Sequence, residues 1–337
     1  MVILLSILFG VLVLAILGRT SIEKLKIPKN DNSIDQTFSQ GVNRVEYESQ
    51  GKRIIGNLYI PDDYKDGEKR PAIVVAPPAT SLKEHAAGFY AEKFSKLGYI
   101  TLAFDTRGIG ESEGVEADAN PYHHANDVAS SVSFLSSLKQ VDPDKLLNVG
   151  VCAGVVSATY ETFQDSRLIA LGIVVPSISG SELTRGNIFI VRWIIYVIGG
   201  ILSLLNFFGI NVKSTAIPDE DKLENASQGM KEVASYYPKG KVGYHPRWKN
   251  AISATSLPGI AKLHIFNYAN KFDNIPVYMV TGEEAYSFEP AVRFYDSLKG
   301  PKDSLVLKEA NHVQFYWKDE YADQAVEGID TFFKSYL

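Results

Sequence analysis

Residues 149–154, Val149-Gly150-Val151-Cys152-Ala153-Gly154, place a nucleophile in the local setting it needs. An apolar run (Leu146, Leu147, Val149, Val151) predicts a buried strand, and small residues with good helix formers follow from Ala153 to Phe163. Glycines two positions to either side of Cys152 permit the tight strand-to-helix turn that lifts a nucleophile clear of a sheet. At the N-terminus of the following helix, the positive end of the helix dipole favours the thiolate, the nucleophilic form. Cys152 is the single cysteine of the chain, so no internal disulfide occupies it. The competing reading is a cysteine serving as a small core hydrophobe. The surrounding residues favour chemistry.

A nucleophile of this kind needs a base, an orienting acid and oxyanion donors. His312, in Ala310-Asn311-His312-Val313, lies on the loop after the last predicted strand, which in this strand order is on the same sheet edge as the turn at Cys152. Nucleophile, then acid, then histidine is a known chain order for such a triad. The acid should follow the preceding strand, where Val277 to Gly282 ends in Glu283-Glu284. Only one of two adjacent acids can point at His312, and Glu283 is preferred over Glu284. The oxyanion needs backbone N–H groups from the residue after the nucleophile and from a loop after an early strand. Ala153 supplies the first. In Pro77-Pro78-Ala79-Thr80 the prolines carry no N–H, so Ala79 is the first residue able to supply the second.

Positioning these groups requires a particular scaffold. Val42 to Ser49 and Arg53 to Ile60 are β-rich runs on either side of Gln50-Gly51, which predicts an antiparallel hairpin. From Ala72 onward strands and helices alternate: strand 72–76, helix 84–97, strand 99–104, helix 122–138, strand 146–151, the helix after Cys152, and strand 169–175. The rhythm then stops, and resumes with strand 275–281, helix 289–298, strand 304–308 and helix 320–336. Alternation of this kind predicts a parallel sheet covered on both faces. The interruption is far longer than ordinary loops and predicts an inserted module. The expected organisation is a hydrophobic segment at 1–18, a linker at 19–41, a core at 42–180 and 271–337, and a cap at 181–270.

Met1 to Leu17 is apolar but for Ser6 and Gly10. It is short for a full span, has no basic region before it and no small-residue cleavage site, and is followed by Arg19, Lys24 and Lys26. A membrane anchor or a signal segment is expected, with an uncleaved anchor and the rest of the chain on the cytoplasmic side favoured. Within the insertion, Ile188 to Val212 is nearly all apolar, with Arg192 and Asn206 as polar exceptions and Gly199-Gly200 in the middle. A single crossing there would put Cys152 and the strands after Ile275 on opposite sides of a membrane, which a continuous sheet cannot survive. A lid helix, or a helix pair broken at the glycines, that covers the active site and dips into the interface is expected instead. Pro218 to Leu263 would complete the cap. Arg192 would serve as a snorkelling anchor or as a carboxylate reader in the lid.

At 337 residues, 45% hydrophobic and 22% charged, the chain can bury a sizeable core. A formal charge of -5 leaves no basic footprint for nucleic acid. One cysteine excludes a cysteine-rich zinc site, and His123-His124 lack a carboxylate at ligand spacing, so a helix entry after Asn120-Pro121 is expected there. No metal or organic cofactor is implied.

Several stretches together carry a family resemblance: 83–91 (KEHAAGFYA), 102–114 (LAFDTRGIGESEG), 150–154, Gly282-Glu283-Glu284-Ala285 and Asn311-His312-Val313. Across about residues 42–180 and 270–337 the chain resembles α/β-hydrolases, in particular the dienelactone-hydrolase-like enzymes and the bacterial YcjY-like and fungal polyketide-transferase-like group. The resemblance implies a nucleophile at Cys152, a base at His312, and acyl transfer on esters, thioesters or lactones. Two positions depart from it: Val155 stands where a second glycine is common, and Ala285 where the family acid falls. Asp105 to Gly114 resembles a loop that in this fold shapes the sheet edge. The reading is an ester or thioester hydrolase acting on an apolar acyl substrate. Its rivals are an acyltransferase of the same mechanism, a catalytically inactive membrane-tethered binding protein, and a peptidase, for which no peptide groove is marked.

Overall fold

The computed structural model describes residues 2–20, 37–178 and 189–337. The linker stretch 21–36, the entry to the cap at 179–188 and the side chains of Arg19 and Arg192 lie outside the described residues.

The hairpin forms as expected, from β1 (Gly41–Ser49) and β2 (Lys52–Ile60). Gln50 and Gly51 take φ of 49° and 73°, the two-residue turn whose twist matches that of the strands. β2 pairs antiparallel with β4 (Ile100–Phe104). Every further pairing in the main sheet is parallel and adds β3 (Arg70–Ala76), β5 (Val141–Val151), β6 (Leu168–Val174), β9 (Val277–Gly282) and β10 (Lys302–Leu307). The eight strands run in the order β1-β2-β4-β3-β5-β6-β9-β10. β5 begins earlier than the apolar pattern suggests: Arg70 pairs with Val141 and Ala72 with Leu146, so Asp142 to Lys145 leave the ladder. Pro143 sits where no ladder N–H is required.

Central parallel strands read as continuous apolar runs because helices cover both faces. One face packs on α3 (Pro121–Ser137), α4 (Gly154–Thr162) and α8 (Phe288–Ser297), through Val128, Val132, Val155, Ala158 and Phe294. The other packs on α2 (Ala86–Lys96) and α9 (Asp319–Lys334), through Tyr90, Phe94, Val326, Ile329 and Phe333. α3 starts where Asn120-Pro121 predicts: the Asn120 side chain accepts from the Tyr122 N–H, and Pro121 occupies the first turn, where its missing N–H costs nothing. This is the doubly covered parallel architecture expected from the sequence.

The interruption between β6 and β9 holds α5 (Phe189–Phe207), α6 (Gln228–Ala234), α7 (Leu257–Lys262) and a small ribbon of β7 (Lys213–Ser214) with β8 (Ile252–Ser253). Gly199-Gly200 does not break α5. The helix is continuous, and the glycines are its packing points: a Cβ on Gly200 would stand 2.0 Å from the Leu14 carbonyl oxygen of α1 (Val2–Thr20), and one on Gly199 2.2 Å from Pro258 Cγ of α7. α1 and α5 therefore lie side by side and leave Phe9, Leu12, Ile16, Ile194, Ile201 and Leu204 exposed. Among the described residues, no helix is long and apolar enough to cross a membrane.

Candidate active site

β5 ends at Val151 and α4 starts at Gly154, which leaves Cys152 at the corner with φ +56°. This left-handed conformation is rare for a residue with a Cβ and is held only where surrounding structure over-determines it. Here the Cys152 N–H donates to the Val174 carbonyl at 3.0 Å, and its own carbonyl accepts from Ser177 N–H at 3.1 Å. The flanking glycines allow the turn by close approach. A Cβ on Gly150 would meet Val155 Cα at 2.6 Å, and one on Gly154 the Ala76 and Pro77 carbonyl oxygens at 2.4 Å. Val155, the departure from the family pattern, is fully buried in the core beneath the turn.

The thiol is 8% exposed. Burial raises its pKa, while hydrogen bonds with Tyr316, the Ala153 N–H, Tyr286 and Ser177 work in the opposite direction. The thiolate expected from the helix dipole is therefore not the resting form. Desolvation outweighs the dipole, and Cys152 rests as a neutral thiol surrounded by hydroxyls.

His312 lies where its loop was expected to bring it, after β10 at the head of a 3₁₀ turn, His312–Tyr316. Asn311 and Gln314 cap that turn reciprocally. The imidazole is fully buried and its pKa falls to about 3 through desolvation. Nε2 lies 3.0 Å from the Tyr316 hydroxyl and Nδ1 2.8 Å from Ser287 Oγ. Tyr286 stacks on the ring at 4.4 Å and 29°.

The acid expectation does not meet this geometry. Glu283 and Glu284 side chains are exposed, and Ser287 holds the Nδ1 position where the acid would sit. Gly282 is the physical reason. Its Cα packs against the Ala310 carbonyl, and the chain then turns Glu283-Glu284 outward before Ser287 returns to the interior. The buried carboxylate near His312 comes from the insertion instead: Glu232 of α6 accepts the His312 backbone N–H at 2.8 Å and the Tyr286 N–H at 3.3 Å. Burial raises its pKa. Glu232 fixes the backbone of the base rather than its ring.

Ala79 and Ala153, the expected oxyanion donors, both line the cavity onto which Cys152 opens. That cavity measures about 290 Å³ and is walled by apolar side chains such as Val156, Ile178, Ile217, Val233, Ile260 and Leu263. Its roof comes from the polar-looking half of the insertion, residues 216–265. No described residue of α5 lines it, so the apolar helix is not the lid expected from its composition. Tyr237 ties the roof to the oxyanion loop: its hydroxyl is 2.8 Å from Ser81 Oγ and its ring stacks on Trp248 at 4.9 Å.

Arg247 makes a second tie, pairing with Glu84 at 2.5 Å and Glu111 at 2.6 Å. Beneath these lies Lys83, 1% exposed, bonded to Asp105 at 2.9 Å and to Glu111. Asp105 also accepts from the N–H groups of Lys83 and Glu111. The loop at 105–114 thus shapes the sheet edge and stays out of the cavity. His123 meets a carboxylate after all, Asp118 at 2.6 Å, while His124 bonds the Asp118 carbonyl. Among the described residues no group is arranged to hold a metal ion.

A nucleophile on a strained elbow, a histidine after the last strand, and a mostly parallel sheet with an inserted roof define an α/β-hydrolase. Residues 50–314 match the X-Pro dipeptidyl-peptidase (S15) family, and the chain belongs to that family. It is similar to the uncharacterized protein YcjY of Escherichia coli (strain K12), 26% identical over 83% of this chain and 93% of that one. The thiohydrolase aneE of Aspergillus aculeatus is 31% identical over 39% of this chain and 40% of its own. The crystal structure of the α/β hydrolase GrgF from a Penicillium species superposes with a TM-score of 0.72 at 21% identity, covering 88% of this chain and 98% of that one.

Proposed function

We propose that this hydrolase cleaves or transfers the acyl group of apolar esters or thioesters. Cys152 attacks the carbonyl, His312 serves as base and then acid, and the N–H groups of Ala79 and Ala153 receive the oxyanion. The observation that carries this reading is a cysteine held at φ +56° on the elbow, opening onto an apolar cavity of about 290 Å³. Such a cavity suits an acyl chain. The similarity to a thiohydrolase supports a thioester. Release of an N-terminal dipeptide calls for a carboxylate to receive the substrate's ammonium. Among the described residues that line the cavity there is no Asp, Glu, Lys or Arg, which favours acyl substrates over peptides.

Turnover of p-nitrophenyl esters and acyl thioesters is expected to rise from acetyl to medium chain lengths and then fall as the cavity fills. Acetyl esters turned over far better than longer ones would overturn the apolar-substrate reading. Adding an alcohol or amine acceptor and identifying the product separates hydrolysis from transfer.

Membrane association belongs to the same proposal and rests on the exposed apolar faces of α1 and α5. The chain should float with phosphatidylcholine vesicles, and Phe9→Asp combined with Leu12→Asp should lower the floating fraction. Equal flotation by the variant would remove α1 from that role.

A further inference from the structure

The nucleophile and the base are not hydrogen bonded to each other. The hydroxyls of Tyr316, Tyr286 and Ser177 and the Ala153 N–H are the groups that act on Cys152 Sγ, Cys152 and Tyr316 line the same cavity, and the hydrogen-bond partners of the His312 ring are the hydroxyls of Tyr316 and Ser287. The Tyr316 hydroxyl is common to both sets. It is four residues beyond His312 on one capped 3₁₀ turn, so ring and hydroxyl move as a unit. Its side chain is 2% exposed and is held edge-on by Tyr236 at 5.2 Å. Tyr286 also reaches Sγ, but it presents its ring face to the imidazole and directs its hydroxyl to Ser177 at 3.0 Å.

We propose that Tyr316 is a catalytic residue that relays the proton between Cys152 and His312, a step resting on the acyl-transfer reading above. For transfer the Tyr316 O–H donates to His312 Nε2, which it already faces at 3.0 Å, and its oxygen accepts from the Cys152 S–H, with His312 Nδ1–H donating to Ser287 Oγ. As sulfur attacks, the C–S bond forms and the carbonyl π pair moves to oxygen. The thiol proton passes to the Tyr316 oxygen while the Tyr316 proton passes to Nε2. Collapse of the tetrahedral intermediate breaks the bond to the alkoxide or thiolate leaving group, which takes a proton back along the same path. Deacylation by water repeats the cycle with water as the proton source. No external reactant is required beyond substrate and water.

Tyr316→Phe keeps the ring and removes only the relay oxygen. With p-nitrophenyl octanoate it should lower kcat about a hundredfold or more, the size expected of lost general acid–base catalysis, with KM nearly unchanged. Rates of wild type in H₂O/D₂O mixtures should curve, as two protons move together, and the residual rate of Tyr316→Phe should vary linearly. Unchanged or faster turnover by Tyr316→Phe would overturn the relay and make the hydroxyl an obstacle between the two groups. A linear wild-type plot would overturn it independently, even if the variant did not fold. Full turnover by Cys152→Ala would instead sink the acyl-transfer reading itself.

Discussion

Cys152→Ala is expected to lower acyl turnover by on the order of 10⁴-fold or more, and His312→Ala by a similar factor, because residues acting as one unit fail together. The double variant should be no worse than either single one. Intact mass after brief exposure to p-nitrophenyl octanoate should show an acyl adduct on wild type and none on Cys152→Ala. Glu283→Gln and Glu284→Gln should leave turnover near wild type, since neither exposed side chain meets the imidazole. A loss from either as large as that from His312→Ala would restore the acid expected from the sequence.

The pH dependence follows from the same geometry. With the pKa of His312 lowered from 6.5 to about 3, the base stays unprotonated well below the range in which an ordinary histidine loses function. The acid limb of kcat/KM, which reports the free enzyme, should therefore be absent near pH 6.5. An acid limb at that pH would show that His312 is not held neutral. Stability moves the opposite way. As pH falls from 6.5 toward about 3, the unfolded chain takes up a proton that folded His312 refuses, so this group's contribution is intact above 6.5 and is lost across that window.

Lys83→Met is expected to be the largest stability defect, about 3–5 kcal/mol, the cost of leaving a buried charge without its partner. Lys83 is the ammonium beneath the Asp105 loop, and Asp105 is fully buried. Burial already raises the Asp105 pKa against the pull of Lys83. Without Lys83 the carboxylate keeps two N–H donors but no counter-charge, and Glu111 and Glu84 lose the cation that joins them beneath Arg247. The urea midpoint should drop accordingly, and the deficit should shrink at low pH as Asp105 protonates. Lys96→Met removes an exposed pair with Glu92 at 2.6 Å and should change little. Equal midpoints for the two variants would mean that the Lys83 cluster adds no stability.

Much of this molecule was legible because the deciding interactions are local. The alternation of apolar runs with amphipathic stretches is set by backbone period, and it located the strands and helices to within a few residues. Gln50-Gly51 and Asn120-Pro121 carry their turn and cap chemistry in their own dihedral and hydrogen-bonding preferences. The elbow at Gly150-Val151-Cys152-Ala153-Gly154 was readable for the same reason, since the backbone approach that demands each glycine comes from the strand and helix it joins and from the adjacent β3 end.

What escaped depends on contacts between distant segments. Nothing near Glu232 in sequence announces that it will hold the His312 backbone, eighty positions away. Composition named the apolar Ile188 to Val212 as the lid, yet the polar-looking 216–265 forms the roof, because its scattered Ile217, Val233 and Leu263 converge only once the chain is folded. Tyr316 left one readable trace, its position four residues beyond His312 at helical spacing. The protonation states were also decided by the tertiary structure. A helix dipole read from sequence favours a thiolate at Cys152, whereas the burial supplied by the assembled cap and core outweighs it and leaves both thiol and imidazole neutral. Local backbone preferences specify where a nucleophile can stand. How far it is removed from water, and which groups then meet it, is specified only when segments far apart in the sequence close over it.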